Sequence, residues 1–355
     1  MTTIIKALLL SSVVLGTMIA AMSSNWLMAW VGLEMNTLAI IPLMANNHPR
    51  TTEAMTKYFL VQATSTALLL LATCLNAYLE GVWFITYMKN DYATIIAMMA
   101  LAMKLGLAPF HFWLPEVMQG LNLTTGMILA TWQKLAPLAL LLQVSYTLHP
   151  TLLMLGAVLS VALGSWGGLN QSQLRKVLAY SSTAHLGWIV ITLQTAHEVA
   201  MIVTVIYIIS TLGIFLALSA TSTTKIGVLT QMWPKNTILL TILLFLLMSL
   251  GGLPPLTGFL PKWCVVEELV TQEKSMTATM LVLASLPGLF FYVRLGYFAI
   301  LTIFPTTTKL KLHWRHKTNK TKIVLATVSA MSIILLPLLP LTKAISNMYY
   351  IDTFA

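Results

Sequence analysis

The chain has 355 residues, of which 58% are hydrophobic and 8% are charged. Soluble globular proteins carry about 25% charged residues, so this chain cannot cover a water-facing surface, and lipid must be the solvent for most of it. The formal net charge is +10. Most of the basic residues fall in short loops between apolar runs, where they set membrane orientation, so we exclude a nucleic-acid-binding protein.

Apolar runs that are long enough to cross a membrane follow one another along the chain. Roughly 20 apolar residues in a helix cross a hydrocarbon core of about 30 Å. Runs such as 237–250 lack the alternation of a β-barrel strand, so we expect an all-α polytopic membrane protein with about eleven transmembrane helices. The predicted spans are 3–22, 25–45, 57–79, 92–108, 123–147, 150–169, 175–196, 199–220, 237–253, 276–303 and 323–345.

The loop charges predict how the chain is oriented. With an odd number of spans, one set of alternate loops holds mainly Lys and Arg, including the basic segment 309–322, and the other set holds mainly acids. Basic loops stay on the inner side, so we expect the N-terminus inside and the C-terminus outside. The segment 309–322 is expected to fix this topology, with binding of anionic lipid headgroups as the alternative.

Motifs for a cofactor are missing from the sequence. Cys74 and Cys264 make neither a disulfide framework nor a metal set, and four ligands for an iron–sulfur cluster are not available. The sequence also has no Gly-rich dinucleotide motif and no phosphate loop. We therefore expect no cofactor and no redox active site in this chain. The first span begins almost at once, without an import presequence, which predicts insertion at the membrane where the chain is made.

Two of the predicted spans continue into segments that resemble each other. Residues 109–116 read Pro-Phe-His-Phe-Trp-Leu-Pro-Glu, and residues 255–262 read Pro-Leu-Thr-Gly-Phe-Leu-Pro-Lys. Proline removes a backbone donor and breaks a helix, so we expect broken helices with half-spans at 109–119 and 256–270. The alternative is that these prolines merely fit a crowded interface.

Broken helices five spans apart predict two halves of opposite topology, because an odd offset reverses the direction of the chain. Inverted repeats with matching discontinuous helices build the sites of secondary transporters. We therefore expect two inverted five-helix repeats, at 1–147 and 148–303. A basic loop and a C-terminal transmembrane helix follow at 304–355.

Several ionisable side chains lie inside the predicted spans. A charge at the bilayer centre costs about 2.5–3.5 kcal/mol on insertion scales. Helix packing does not explain why the chain has such residues, whereas a path for protons or ions does. Lysine suits proton transfer because burial brings the pKa of an ammonium toward neutrality. The candidates are Glu34, Lys104, Lys134 and Lys262, with His111 and His185 as further relay groups.

The candidates are expected to play different parts. Glu34 and Lys104 are predicted to form a modulating acid–base pair, and Lys134, near the middle of its span, is the best relay candidate. His111 and His185 can bridge relays through water, although His185 fits interhelical hydrogen bonding equally well. Three residues have simpler readings: Lys262 and Glu116 follow a helix break and can reach an interface, and Arg294 is expected to snorkel.

Four segments together carry a resemblance that covers essentially the whole chain. Residues 30–36 (Trp-Val-Gly-Leu-Glu-Met-Asn), 104–117, 131–137 and 251–263 resemble the subunit 2 family of mitochondrial NADH–ubiquinone oxidoreductase, respiratory complex I. That resemblance implies an antiporter-like core subunit of the membrane arm of a proton-translocating NADH:ubiquinone reductase. Such a subunit contributes a proton channel that is driven by electron transfer from NADH to ubiquinone elsewhere in the complex.

The resemblance also implies roles, partners and a location. In the family, the acid matching Glu34 pairs with the lysine matching Lys104, the lysine matching Lys134 lies on the central hydrophilic axis, and the one matching Lys262 lies near the far half-channel. NADH, FMN, iron–sulfur clusters and ubiquinone are bound by other subunits. Expected partners are neighbouring antiporter-like subunits, accessory subunits and membrane lipids including cardiolipin, but no nucleic acid.

The implied location is the mitochondrial inner membrane, with the N-terminus in the matrix and the C-terminus in the intermembrane space. Bacterial relatives have three additional N-terminal helices, so contacts on that flank are expected to differ. Two rival functions remain at this point. One is a stand-alone cation/proton antiporter of the same fold, and the other is a structural linker of the membrane arm whose buried charges do no work.

Overall fold

A computed structural model describes residues 3–46, 48–230, 237–301 and 322–334. In these ranges the chain forms α-helices, and its extended pairs are limited to isolated bridges. The helices, numbered in chain order, are α1 (Thr3–Met22), α2 (Trp26–Met44), α3 (Pro49–Glu80), α4 (Asp91–Leu105), α5 (Trp113–Gly120), α6 (Leu123–Ala130), α7 (Leu135–Val144), α8 (Pro150–Gly168), α9 (Leu174–Thr195), α10 (His197–Thr221), α11 (Ile226–Thr230), α12 (Thr237–Gly251), α13 (Phe259–Thr271), α14 (Ser275–Leu301) and α15 (Lys322–Ile334).

The expectation of an all-α polytopic membrane protein is confirmed. By length and composition, seven of the described helical runs can cross a membrane: α1, α2, α3, Leu123–Val144, α8, α10 and Ser275–Ile300. Shorter apolar helices accompany them, among them α12. The figure of eleven spans stays a prediction. The basic segment 309–322 and the later part of the last predicted span lie almost entirely outside the described residues.

Contacts between Cα atoms divide the chain into two units. The first comprises the described residues of Met1–Gly164 and Leu178–Gln194, and the second those of Ser165–Val177 and Thr195–Ala355. Within the first unit, α3 packs against both α4 and α5. Within the second unit, α10 packs against both α12 and α13. A long helix therefore supports an interrupted helix in each unit.

Glycine allows the first two helices to approach each other closely. A Cβ added to Gly16 would lie 2.8 Å from the carbonyl oxygen of Gly32, and a Cβ on Gly32 would lie 2.8 Å from the oxygen of Gly16. Small residues at a helix contact let backbones pack in this way inside a membrane. The contact fixes α2 against α1, two residues from the acidic Glu34.

Both predicted interruptions are present, and a left-handed glycine ends the helix at each. Gly106 (φ 77) follows α4 and donates its N–H to the carbonyl of Ala102, while Gly252 (φ 79) follows α12. Glycine adopts this conformation without the strain that a Cβ brings. The half-spans are shorter than predicted, because the proline-containing connectors are not helical and α5 and α13 begin only at Trp113 and Phe259.

The fifth predicted span, 123–147, is itself interrupted. A 3-10 turn (Trp132–Lys134) separates α6 from α7. Pro137 contributes to this interruption, because it has no N–H for the carbonyl of Gln133 and its ring clashes with that carbonyl. The predicted span is supported, since Leu123–Val144 is long and apolar enough to cross a membrane, but the sequence did not predict the turn within it.

The third span begins about two turns earlier than predicted. Pro49 occupies the first turn of α3, and Nδ1 of His48 accepts a hydrogen bond from the N–H of Arg50 (3.1 Å). The charged residues here suggested a loop. A helix of 32 residues is about 48 Å long at 1.5 Å per residue, so its charged first turns can extend beyond a hydrocarbon core of about 30 Å.

Candidate functional site

Lys104 lies in the last turn of α4 and is buried, with 6% of its surface exposed. The C-terminal end of a helix carries a partial negative charge, which favours an ammonium group there. Trp113, the first residue of α5, donates a hydrogen bond from Nε1 to the carbonyl of Met103 (3.1 Å), so the helix beyond the break holds the end that carries the lysine. The Nζ atom of Lys104 has no hydrogen-bond partner among the residues that the structure describes.

Glu34 lies on α2 and is half-buried. Its charge acts on both Lys104 and the buried Tyr58, so the three groups are electrostatic neighbours. Glu34 and Lys104 nevertheless form no direct ion pair, and the buried Oε2 atom of Glu34 has no hydrogen-bond partner in the described ranges. The carboxylate and the lysine thus interact electrostatically without direct contact. A small movement of either side chain could therefore form an ion pair or increase their separation.

Lys134 ends the 3-10 turn between α6 and α7, and only 4% of its surface is exposed. The turn is held by its neighbour Gln133, whose Nε2 donates a hydrogen bond to Oδ1 of Asn36 on α2 (2.7 Å). Thr131, just before the turn, donates its hydroxyl to the carbonyl of Met127. Side-chain bonds therefore hold the backbone where Pro137 interrupts the helix.

Lys104 and Lys134 line the same internal cavity. Its volume, measured as the space open to the centre of a water molecule, is about 20 Å³. Roughly 10–15 Å³ by this measure holds one water molecule, provided that polar partners surround it. Such partners are present on α2, α3 and the 3-10 turn: Asn36, Thr37, Tyr58, Gln62 and Gln133. A water-sized space therefore adjoins two buried lysine side chains.

The histidines lie apart from this cavity. His111 is in the connector between α4 and α5, is 3% exposed, and its ring contacts those of Phe112 and Tyr180 (centroids 4.3 and 6.2 Å). His185 is half-buried on α9, the helix that carries Tyr180. Neither histidine is among the cavity-lining residues. The structure thus brings His111 close to α9 and leaves both rings outside the water-sized space.

Lys262 belongs to the second unit, in the first turn of α13. Its Nζ donates a hydrogen bond to the carbonyl of Gly251 at the end of α12 (2.7 Å). A lysine therefore lies at the C-terminal end of the helix before this break as well, but here it comes from the helix after the break. At the equivalent place after the first break, Glu116 is half-exposed and pairs with Lys57 (2.7 Å).

Arg294 does not simply extend into solvent. Its Nη1 donates a hydrogen bond to the carbonyl of Leu169 (2.7 Å), and its guanidinium lies 5.4 Å from the centroid of the Phe298 ring. Across the part of the chain that the structure describes, no group of three or more His, Cys, Asp or Glu side chains is placed to hold a metal ion.

Sequence reasoning missed the uncharged polar residues around the cavity. Asn36, Gln62 and Gln133 each interrupt an apolar stretch, and amide side chains inside a membrane are costly unless they find partners. That cost was an available signal. The amide residues were not singled out because the charged residues in the same spans have a larger energetic cost of insertion.

Two family models cover most of the chain. Residues 23–288 match the model described as NADH:quinone oxidoreductase/Mrp antiporter, transmembrane, which defines an antiporter-like membrane protein. Residues 289–343 match the model of the NADH dehydrogenase subunit 2 C-terminus. The chain belongs to the family of NADH-ubiquinone oxidoreductase chain 2.

Curated relatives and solved structures agree with this assignment. The chain 2 protein of Osphranter robustus is 52% identical over 93% of this chain and 95% of its own length, and that of Tetraodon nigroviridis is 52% identical over 95% and 97%. A chain in the structure of respiratory complex I from Thermus thermophilus superposes with a TM-score of 0.85, at 27% identity over 95% of this chain and 79% of that one. A chain of the Mrp complex from Dietzia shares the fold (TM-score 0.82, 16% identity; 94% and 76% covered).

Proposed function

We propose that this chain supplies a proton-translocation channel in the membrane arm of NADH:ubiquinone oxidoreductase, respiratory complex I. The family assignment makes it a membrane subunit of that complex. Electron transfer from NADH to ubiquinone then takes place in other subunits, which bind NADH, FMN, iron–sulfur clusters and ubiquinone. The observation that supports the channel is the pair of buried lysines, Lys104 and Lys134, at one water-sized cavity.

The proposed transfer depends on the separation between Glu34 and Lys104. When the carboxylate approaches, it stabilises the ammonium form of Lys104, and when it withdraws, that proton becomes easier to release. A water molecule in the cavity connects Lys104 to Lys134, which receives the proton. Asn36 and Gln133, already bonded to each other, orient that water.

The remaining candidates extend this path. Lys262 would accept protons in the second half, and His111 and His185 would serve as water-linked relays. We keep the proposal that residues 1–147 and 148–303 are inverted halves, with 304–355 as an added segment. The chain lies in the mitochondrial inner membrane by this proposal, with its N-terminus in the matrix and its C-terminus in the intermembrane space. Neighbouring antiporter-like subunits, accessory subunits and cardiolipin are its proposed partners.

Replacing Lys134 by Met tests the channel directly. Methionine keeps most of the side-chain volume and removes the proton-binding amine, so the number of protons moved per NADH oxidised should fall in the assembled complex. Lys89→Met is the matched control, because Lys89 is exposed in the 81–90 loop. A normal ratio in Lys134→Met would refute the channel and favour a structural linker. Sodium–proton exchange by the purified chain alone in liposomes would favour a stand-alone antiporter.

A further inference from the structure

A second, larger pocket lies in the second unit, well separated in sequence from the relay lysines. Its volume is about 490 Å³ by the same measure, and it is open to the exterior. It is formed by the connector between α8 and α9, the start of α11 and the later part of α14. Two cations, Lys225 and Arg294, line it together with amide and hydroxyl groups of residues 170–173, and no carboxylate does.

Backbone hydrogen bonds hold the walls of this pocket together. The N–H of Leu174 donates to the carbonyl of Thr224 (3.0 Å), and the N–H of Ile226 donates to the carbonyl of Ser172 (3.2 Å). This two-bond bridge fixes Lys225 beside the amides of 170–173. Arg294 is held from the other side by its bond to Leu169. The pocket is thus built before any ligand arrives.

Acidic side chains do not balance the positive charge of the pocket within the part of the chain that the structure describes. Within the described ranges, Lys225 and Arg294 form no ion pair with any acid. Arg294 donates one N–H to Leu169, and a guanidinium group has further N–H donors that suit an oxyanion. Two cations with hydroxyl and amide donors suit a phosphate group, and basic pockets between membrane helices bind lipid headgroups.

An exposed apolar stripe leads away from the pocket along α14. Residues spaced three or four apart on one face of this helix are exposed: Leu283 62%, Leu286 55%, Phe290 58%, Val293 40% and Tyr297 62%. Arg294 lies on the same face, toward the C-terminal end. An amphiphile with its anionic group at Arg294 would lay its apolar part along Phe290, Leu286 and Leu283.

We propose that this pocket binds the phosphodiester headgroup of an anionic membrane phospholipid, with Lys225 and Arg294 as its two cationic contacts and the stripe on α14 beneath its acyl chains. The apolar stripe favours a lipid over a free anion, because a soluble phosphate has no acyl chain that could pack against these side chains. The site is independent of the relay, since none of its residues lines the cavity at Lys104 and Lys134.

Photo-crosslinking on the purified, NADH-oxidising complex tests the site. The probes are phosphatidylglycerol and phosphatidylcholine that carry the same photoreactive acyl chain, and the labelled residues are mapped by mass spectrometry. We expect the anionic probe to label the stripe on α14 more strongly than the zwitterionic one. Loss of one cation near an anionic lipid is worth about fivefold in binding, so Lys225→Gln should lower this labelling by about that factor.

Lys176→Gln is the matched control, because it removes the same charge from the nearby start of α9 without touching the pocket, and labelling should not change. Arg294→Gln also loses the bond to Leu169 and can fail to assemble, so the exposed Lys225 carries the test. Equal labelling by both probes, or labelling that survives Lys225→Gln, would overturn the proposal. Displacement of the anionic probe by millimolar inorganic phosphate would also overturn it, in favour of a free-anion site.

Discussion

Gln133 donates a hydrogen bond from its Nε2 to the Oδ1 of Asn36 over 2.7 Å, and this bond ties the turn that carries Lys134 to the helix that carries Glu34. The two residues have no charge and lie in different predicted spans. Gln133 adjoins Lys134, the proposed relay base, and Asn36 lies two residues from Glu34, the proposed modulating acid. We therefore expect a movement of α2 to be transmitted through this bond to the turn.

Gln133→Leu should weaken both the fold and the transfer. The Oδ1 of Asn36, a residue that is 2% exposed, would be left buried without its donor, at a cost of about 1–3 kcal/mol. The expected result is a lower dissociation temperature of the assembled complex and fewer protons moved per NADH oxidised. Thermal dissociation on native gels and a proton-to-electron ratio in vesicles measure the two effects.

Gln143→Leu is the control for this variant. Gln143 donates a hydrogen bond of 2.8 Å to the carbonyl of Ala21 and does not line the cavity. It should lower the dissociation temperature and leave the ratio unchanged. Equal losses of the ratio in both variants would show that Gln133 acts on stability alone.

Glu34 and Lys104 should behave as one functional unit. If the carboxylate acts only by changing the proton affinity of Lys104, then Glu34→Gln has nothing left to change once Lys104→Met is present. We expect the proton-pumping rate of the double variant to equal that of Lys104→Met. Rates from the two single variants and the double variant, measured at equal NADH oxidation, test this. Losses that add in full would separate the two residues.

Pro137→Ala should restore helix and impair transfer. The new N–H can pair with the carbonyl of Gln133, so α6 and α7 can join and Lys134 turns away from its present position. We expect stability to be kept or raised while the pumping ratio falls. Pro287→Ala is the matched control, because Pro287 also lies within a helix, α14, and belongs to no proposed relay. A pumping ratio that stayed normal in Pro137→Ala would show that the interruption itself is not needed.

Alanine at the two left-handed glycines should destabilise the breaks. A residue with a Cβ costs about 1–2 kcal/mol in this conformation. At Gly252 the added Cβ would also lie 2.9 Å from the Nζ of Lys262, so Gly252→Ala should disturb that lysine as well as the fold. Gly106→Ala meets Leu114 Cδ1 at 3.1 Å. Thermal unfolding of the complex measures both, with a larger effect expected at Gly252.

Gly156→Ala provides the reference for these two substitutions. An added Cβ at Gly156, within α8, meets nothing within 4 Å, and alanine favours a helix by about 1 kcal/mol over glycine. Its dissociation temperature should therefore be unchanged or raised. A loss as large as that of Gly106→Ala would mean that the conformation of Gly106 is not the cause.

The sequence predicts the ends of a helix well where the length of an apolar run determines them. It predicts ends and interruptions less well where packing determines them. The first helix runs from 3 to 22 in both prediction and structure, because lipid requires a run of this length. Lys134 was correctly expected in the middle of its span, but the break beside it was not, since a proline inside an apolar run is tolerated in membranes. The start of α3 was missed because charge does not distinguish a loop from a helix that extends beyond the bilayer.

The site was predictable as a set of residues but not as an arrangement. Buried charge has a cost that can be read along the chain, and this singled out Glu34, Lys104 and Lys134. Which of them share a cavity depends on how α2, α3, α4 and the 3-10 turn meet, and no single span contains that information. The hydrogen bond between Asn36 and Gln133 is an example, because it is apparent only once α2 and the 3-10 turn are placed side by side.

In the proposed channel, the size of the cavity would determine how fast protons leak across the membrane. A column of several waters would let protons pass without any change in the protein, and the gradient would be lost as fast as it was built. A space of about 20 Å³ at Lys104 and Lys134 holds too little for such a column. In the proposed channel, each proton transfer would therefore require a movement of the side chains, and the same narrow space would limit proton leakage between turnovers.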